Sequence, residues 1–255
     1  MIPKKIHYCW FGRNPKPALF QRCIASWKKY CPDYKIIEWN EDNFDLNCCD
    51  YVREAYDAKK WAFVTDYARL KIVHDQGGIY LDTDVEVVRS LDDLLGDDAF
   101  FGLEDTGSIA TGLGFGAEAG NPVVAAMLRD YDGVHFQKSD GSYDLTTCPV
   151  RNTASIAHLL PEEIREVTRI PGAVIYPPEW FCPLSADGSQ MRKTSNTHSI
   201  HWYSATWLND DQKVVHEYRL FKNKCERLIG KRLGGYAARF VYLFFPQKRE
   251  VLKRM

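Results

Sequence analysis

Two pairs of residues in the stretch Trp61 to Val88 (WAFVTDYARLKIVHDQGGIYLDTDVEVV) have the types and spacing to do chemistry. Asp82 and Asp84 lie two apart at the end of a short apolar run, so on a strand their carboxylates point the same way. Such a pair suits a hard divalent cation, Mn²⁺ or Mg²⁺, which takes oxygen ligands and bridges to substrate phosphates. An ion held there neutralises the charge that develops on a departing diphosphate. Asp66 and Arg69 form the second pair, three apart and therefore on one face of a helix. That helix is apolar nearly all round, and burying either group without a partner is costly. Two readings stand side by side for them, a structural ion pair or groups that face a ligand. A bare D-x-D fits a solvated loop equally well. It gains weight here from the Gly-Gly turn, apolar strand and buried helix that precede it.

The elements that must position these groups can be read outward from them. Trp61 to His74 has the all-round apolar pattern of a helix enclosed by other elements. Gly77-Gly78 stops it, since glycine takes the left-handed turn at a helix end, and Ile79-Tyr80-Leu81 runs as a strand into Asp82. Upstream, Lys5 to Phe11 reads as a strand, Pro17 to Tyr30 as a helix, Tyr34 to Trp39 as a second strand and Val52 to Tyr56 as a short helix. The order β-α-β-α-α-β predicts an α/β domain with a mostly parallel, Rossmann-like sheet flanked by helices. Ligands of such sheets sit beyond the carboxyl ends of the strands. Trp10, Trp39 and the Asp82/Asp84 pair all fall at such ends. Downstream, Ala99 to Leu103 is strand-like, and the Gly-rich stretch Gly107 to Gly120 reads either as a binding loop or as simple strand-and-turn packing. Val123 to Tyr131 is a helix, and His135 to Arg151 is polar and irregular, a loop facing substrate. Ile156 to Leu160 is helical, Ala173 to Tyr176 a strand and His198 to Trp207 strand-like and aromatic.

The chain of 255 residues has 45% hydrophobic and 26% charged residues, the composition of a folded globular protein. The net charge of −1 conceals an asymmetry. From Lys213 onward there are 12 Lys and Arg against 3 Asp and Glu, and the remainder carries 21 against 31. There the pattern returns to helix. Val214, Tyr218, Phe221, Cys225 and Leu228 make an apolar stripe, and Phe240, Val241, Leu243, Phe244 and Phe245 a second. Basic amphipathic helices of this kind lie on anionic lipid surfaces, or pack their stripe on the body with the charges solvated. The eight cysteines show no metal-ligand spacing and no disulfide framework is expected. Without a signal-peptide pattern or an apolar run of membrane-spanning length, the expectation is a cytoplasmic protein, with both readings of the tail open, peripheral on the inner face of the cell membrane or packed on the body. No nucleic-acid partner is expected.

Asp66-x-x-Arg69 followed by Gly77-Gly78-Ile79-Tyr80-Leu81-Asp82-Thr83-Asp84 resembles the DXD sugar-binding region of glycosyltransferase family 32. That family includes initiating mannosyltransferases and capsular-polysaccharide transferases and is distantly similar to glucosylating bacterial toxins. Ile2 to Gly12 resembles its opening strand, Trp39-Asn40-Glu41-Asp42-Asn43 its second-strand signature, and Phe115-Gly116-Ala117 with Asn121-Pro122 its later helix lead-in. Ile200-His201 with Ser204-Ala205-Thr206-Trp207 resembles its closing H-x-x-x-G-S-W pattern, with Ala205 and Thr206 in place of Gly-Ser.

The resemblance implies a GT-A type catalytic domain over residues 1–212, followed by a basic helical extension over 213–255. It implies a retaining, metal-dependent hexosyl transfer from a nucleotide sugar, with a UDP-sugar favoured, to a glycan or lipid-linked glycan in surface polysaccharide synthesis. Trp10 would stack on the nucleobase, worth ~1–3 kcal/mol, with Phe11 and Tyr80 also on the substrate side. Asp66 and Arg69 would hold donor-sugar hydroxyls, Asp82 the ribose and metal, and Asp84 the metal. His201 would complete the metal sphere, with Ser204 and Trp207 near the diphosphate. No catalytic base is implied, because in retaining enzymes of this fold the departing phosphate takes the acceptor's proton. Two other readings compete. Asp82-Thr83-Asp84-Val85 also resembles the nucleophile motif of haloacid-dehalogenase-type phosphatases, with Asp82 attacking. A non-catalytic nucleotide-sugar-binding module is the other.

Overall fold

Lys5–Cys9 forms the first strand, β1, with all but its first residue buried. The computed structural model describes residues 1–204, 210–245, 248 and 251. After β1 come α1 (Ala18–Tyr30), β2 (Lys35–Trp39), α2 (Asp50–Asp57), α3 (Trp61–Gln76), β3 (Gly78–Tyr80) and β4 (Val85–Val87). The chain continues through β5 (Ala99–Gly102), β6 (Phe115–Ala117), α4 (Pro122–Arg129), α5 (Cys148–Ser155), β7 (Thr168–Ile170), β8 (Ala173–Tyr176), α6 (Pro178–Phe181) and β9 (Ser199–His201). Two helices, α7 (Asp210–Ile229) and α8 (Lys231–Leu243), follow. The chain divides into two units, Met1–Pro183 with Lys193–Trp202, and Leu184–Arg192 with Tyr203–Met255.

In the first unit a seven-stranded sheet has the order β2-β1-β3-β6-β5-β8-β7. Strands β1, β2, β3, β5 and β8 run one way, and β6 and β7 run against them. The sheet is mixed and mostly parallel, as the element order predicts. The insertion of β6 between β3 and β5 was not expected from a Gly-rich stretch. Phe115 and Ala117 are fully buried in the core, and a three-residue strand with glycine at its centre is too short to show a period of two. Neighbouring phenylalanines on β5 show the sheet's two faces. Phe101 stacks on Phe115 within the core around α3, with ring centroids 5.6 Å apart, and Phe100 stacks on Phe181 of α6 at 5.5 Å.

Helix α3 holds no Gly or Pro, and Phe63, Val64, Ala68, Leu70, Ile72 and Val73 are all buried. Its end is fixed at Gly77, whose N–H donates to Val73 O and whose φ is 59°. Gly78 follows at φ 117°, and a Cβ there would lie 2.9 Å from His7 Nε2. Only glycine satisfies both the dihedral and the space, so α3 turns directly into β3. His7 itself is fully buried. Trp39 Nε1, a donor only, points at His7 Nδ1 (3.1 Å), so Nε2 carries the proton and donates to Gly77 O (2.9 Å). Burial lowers the pKa of this imidazole to about 4. One neutral histidine thus ties β1, β2 and the α3–β3 turn together.

The second unit is organised around α7 and α8, joined at Gly230 with φ 83°. Gly234 and Ala238 allow close helix contact, since a Cβ on Gly234 would overlap the α7 backbone at Glu226. Tyr242 packs edge-on against Tyr218 at 4.9 Å and tilted against Phe221 at 6.0 Å. The α7 stripe expected from sequence is therefore used, at Tyr218 and Phe221, inside the hairpin. Asn223 Nδ2 donates to Asp187 O (2.8 Å), which ties the segment Leu184–Arg192 to α7.

Candidate active site

The sheet brings the two sequence pairs to one edge. Strand β1 pairs in parallel with β3, Ile6 opposite Ile79 and His7 opposite Tyr80, and Leu81 N donates to His7 O (3.1 Å). Residues past Cys9 and past Tyr80 therefore leave the sheet on the same side, at its carboxyl end. The Asp82-Thr83-Asp84 turn spans from β3 to β4, with Val85 N donating to Asp82 O (3.0 Å). Helix α1 holds β4 down, through Trp27 Nε1 to Val85 O (2.8 Å) and Val87 N to Ser26 Oγ (2.9 Å). On the other side β9 pairs antiparallel with β4, Val85 opposite His201, and Trp202 N donates to Asp84 O (3.1 Å).

Asp82, Asp84 and His201 come together by this route, 117 residues of chain apart at the extremes of the last pair. Each offers one ligand atom, and these lie within 4.8 Å of one another. Ligands about 2.1 Å from a shared ion lie at most about 4.2 Å apart, so small side-chain movements close the trio on a divalent cation. Charge points the same way. With His201 neutral, the carboxylates of Asp66, Asp82 and Asp84 against the single Arg69 guanidinium leave two negative charges in a largely buried site. A divalent ion would cancel them. His201 Nε2 stands 3.3 Å from Asp84 Oδ1. Burial lowers its pKa, but the Asp84 charge and hydrogen bond outweigh that and hold it up at about 10.

Behind the carboxylate pair, Arg69 is only 4% exposed and Asp66 7%. Arg69 Nη2 lies 3.1 Å from Asp66 Oδ1 and 3.2 Å from Asp82 Oδ1. Its Nε donates to Thr65 O (3.2 Å) and its guanidinium sits 5.1 Å from the Tyr80 ring centroid. Burial works against its charge, and Asp82 and Asp66 more than restore it, so its pKa is raised. Asp66 is pushed up to about 6 by burial, with Arg69 opposing. Asp82 is also raised, by burial first, although Arg69 counters it. Tyr80 OH donates to Asp82 Oδ1 (3.0 Å). The structural ion pair and the ligand-facing group are therefore not exclusive alternatives, because Arg69 connects the helix pair to the DXD turn.

The remaining expected site residues are placed as follows. Trp10 is half-buried just past β1, edge-on to Phe20 at 5.2 Å, with Nε1 donating to Asn14 O (2.6 Å). Phe11 is buried in the core, edge-on to Phe44 at 5.8 Å. Ser204 is half-buried, two residues beyond the Trp202 that bonds to Asp84. Trp207, with Ala205 and Thr206, lies outside the described residues.

Four residues of the site were not singled out from sequence. Gly112 O accepts from Asp82 N (3.2 Å), and a Cβ on Gly112 would overlap Asp82 Oδ2 and approach Arg69 Nη1 to 3.0 Å. The Gly-rich stretch had drawn notice, but nothing in it distinguishes the one glycine pressed on the carboxylate. Cys148 Sγ, at the start of α5, accepts from Arg69 Nη1 (3.5 Å). Asn152 on the same helix is fully buried, donates from Nδ2 to the buried Thr111 Oγ1 (3.0 Å) and leaves its Oδ1 unpartnered. These contacts span 30 to 80 residues, and no local pattern announces them. The segment expected as an open loop from His135 to Arg151 thus delivers the first turns of a helix to the back of the site.

Residues 17–101 match the family model described as a glycosyltransferase sugar-binding region containing a DXD motif. The chain is 29% identical over 133 residues to inositol phosphoceramide mannosyltransferase 3 of Schizosaccharomyces pombe, covering 51% of this chain and 37% of that one. It is 28% identical over 111 residues to subversion of eukaryotic traffic protein A of Legionella pneumophila, covering 33% of this chain and 17% of that one. The chain thus spans well under half the length of either relative. Among solved structures, the PaToxG glycosyltransferase superposes with a TM-score of 0.46 at 17% identity, over 63% of this chain and 70% of that one. The Asp82-Thr83-Asp84 turn, its glycine lead-in and the Asp66/Arg69 helix all lie inside the residues that are similar to this DXD-containing sugar-binding region.

Proposed function

We propose that the protein is a metal-dependent, retaining glycosyltransferase. It moves a hexosyl unit from a nucleotide sugar, a UDP-sugar in preference to a GDP-sugar, to a glycan or lipid-linked glycan acceptor in surface polysaccharide synthesis in the cytoplasm. The observation that carries this reading is the convergence of Asp82, Asp84 and His201 from two strands, with Asp66 and Arg69 joined to Asp82 behind them.

Asp84 and His201 would hold Mn²⁺ or Mg²⁺ together with Asp82. When bound, the ion offsets the charge growing on the leaving diphosphate. The protein's own groups divide the rest of the work. Asp82 is fixed through Oδ1 by Tyr80 OH and Arg69, with Gly112 against Oδ2. Arg69 is held rigid by Thr65 O and two carboxylates, and with Asp66 it orients donor-sugar hydroxyls. Trp10, at the same sheet edge, offers a face for the nucleobase. Ser204 and Trp207 are assigned to the diphosphate. No residue is assigned as general base, since the departing phosphate oxygen takes the acceptor's proton on the face it leaves. The domain assignment follows the same reading, with catalysis in residues 1–212 and a basic helical extension from 213. The phosphatase reading is disfavoured by the setting of Asp82, because a nucleophilic carboxylate needs a free approach and Oδ1 here is engaged by Tyr80 and Arg69 while Gly112 backs Oδ2.

The test is a panel of UDP- and GDP-sugars with Mn²⁺, scored for nucleotide release. One donor should turn over, and EDTA or Asp84→Ala should lower release by about a hundredfold or more. Metal-independent turnover, or an Asp84→Ala protein with full activity, would overturn the reading.

A further inference from the structure

Helix α8 presents two faces of opposite fate. Gly234, Ala238 and Tyr242, at spacings of four, turn inward to α7, and Ala238 and Tyr242 are buried. On the far face Leu233, Tyr236 and Phe240, with Phe244 at the cap just past the last helical residue, recur at spacings of three and four, which aligns them in one stripe. They are 63%, 63%, 61% and 69% exposed. Four large apolar side chains in a continuous exposed row are not the scattered singles of an ordinary surface. Arg232 and Arg239, seven apart and both exposed, run along one margin of this stripe. The sequence from Lys213 onward carries 12 basic residues against 3 acidic ones. No helix among the described residues is long and apolar enough to cross a membrane.

We infer that the Leu233–Tyr236–Phe240–Phe244 face of α8 is a monotopic docking surface for an anionic lipid bilayer, with Arg232 and Arg239 at the level of the headgroups. A helix with an aromatic and aliphatic face, basic flanks and too little length to span lies in the interface plane. The flanking charge selects the occupant. A second copy of the chain would bring arginine rows of like sign together, whereas an anionic leaflet attracts each basic residue near its surface. The buried side of α8 is already committed to α7, so docking needs no unpacking of the hairpin. The inference is independent of the transferase reading, because it rests on unit two alone.

The experiment is co-sedimentation of the full chain with phosphatidylcholine vesicles, with and without phosphatidylserine. The protein should bind the anionic vesicles, and bind neutral ones weakly. Phe240→Ser with Phe244→Ser should weaken binding roughly tenfold or more through lost apolar burial. Arg232→Glu with Arg239→Glu should do so by a similar factor or more, and raised salt should act in the same direction. Thermal unfolding followed by circular dichroism should leave both variants with the parent's midpoint, and the arginine pair, wholly on the surface, decides the matter should the phenylalanine pair melt early. Binding absent from anionic vesicles, or unmoved in both variants, overturns the inference. So does a stable dimer in light scattering that the phenylalanine changes dissociate.

Discussion

The DXD edge of the first unit and the α7–α8 hairpin of the second break the ordinary burial rule in opposite directions. In the first, charged groups are inside. Asp66, Arg69 and Asp84 are all buried, and Asp82 and His201 are largely so. In the second, aromatic and aliphatic groups are outside, along one face of α8. Neither placement is cheap. Buried charges lose hydration that neighbouring charges must replace, and an exposed apolar row stays in contact with water. The first region has part of its compensation within the fold, through Arg69, which pairs with both Asp66 and Asp82. The second has none within the described residues.

Replacing the hub of the first region gives the largest effect expected on stability. Arg69→Met removes the common partner of Asp66 and Asp82 and leaves buried carboxylates unpaired, at a cost of about 3–5 kcal/mol. Urea unfolding measures it. A loss below about 0.5 kcal/mol, the range of an ordinary surface change, would mean that the buried charges are balanced some other way, and the contrast between the regions would fail.

Next in size is a pH effect. His7 has a folded pKa of about 4 against 6.5 unfolded, so the stability it contributes is fully present above pH 6.5 and is lost as pH falls toward 4. Asp66 has a folded pKa of about 6 against 3.8 unfolded. Its penalty is therefore present above pH 6 and is relieved as pH falls toward 3.8. The two trends oppose each other in the same window, and each is of order 3 kcal/mol at about 1.4 kcal/mol per unit. The contributions of these two groups should nearly cancel there. Asp66→Asn should expose the His7 trend and lose roughly 3 kcal/mol between pH 6.5 and 4. Equal slopes in the two proteins would remove Asp66 from the set of buried, penalised charges.

The smallest effect belongs to the second region. Phe240→Ser should change the unfolding free energy by no more than about 0.5 kcal/mol, because the side chain is 61% exposed and packs on no core. A cost of several kcal/mol would show that this face is covered within the protein after all, and would sharpen the contrast into one between two kinds of interior.

Much of the site was legible where the chemistry is local. The Asp82/Asp84 pair, the Asp66/Arg69 pair and the Gly77-Gly78 stop are each set by spacings of one to three residues; periodicity places the second on a helix and the glycines at its end, whereas the structure puts Asp82-Thr83-Asp84 in the turn between β3 and β4 rather than on a strand. The α7 stripe shows the limit of such reading. Its periodicity is genuine, but periodicity does not say which neighbour an apolar face will meet. Tyr218 and Phe221 meet Tyr242, and the exposed row is on α8 instead.

The sequence by itself determined the α/β order, the carboxylates of the DXD turn and their resemblance to a glycosyltransferase sugar-binding region, because each is written in contiguous residues. Only the tertiary structure decided that Arg69 bridges both pairs, that Gly112 and Cys148 back the site, that β6 enters the sheet against its neighbours, and which face of α8 stays open. Each of those depends on contacts between residues far apart in the chain, where the free energy is that of a shared space and a shared charge rather than of any local propensity.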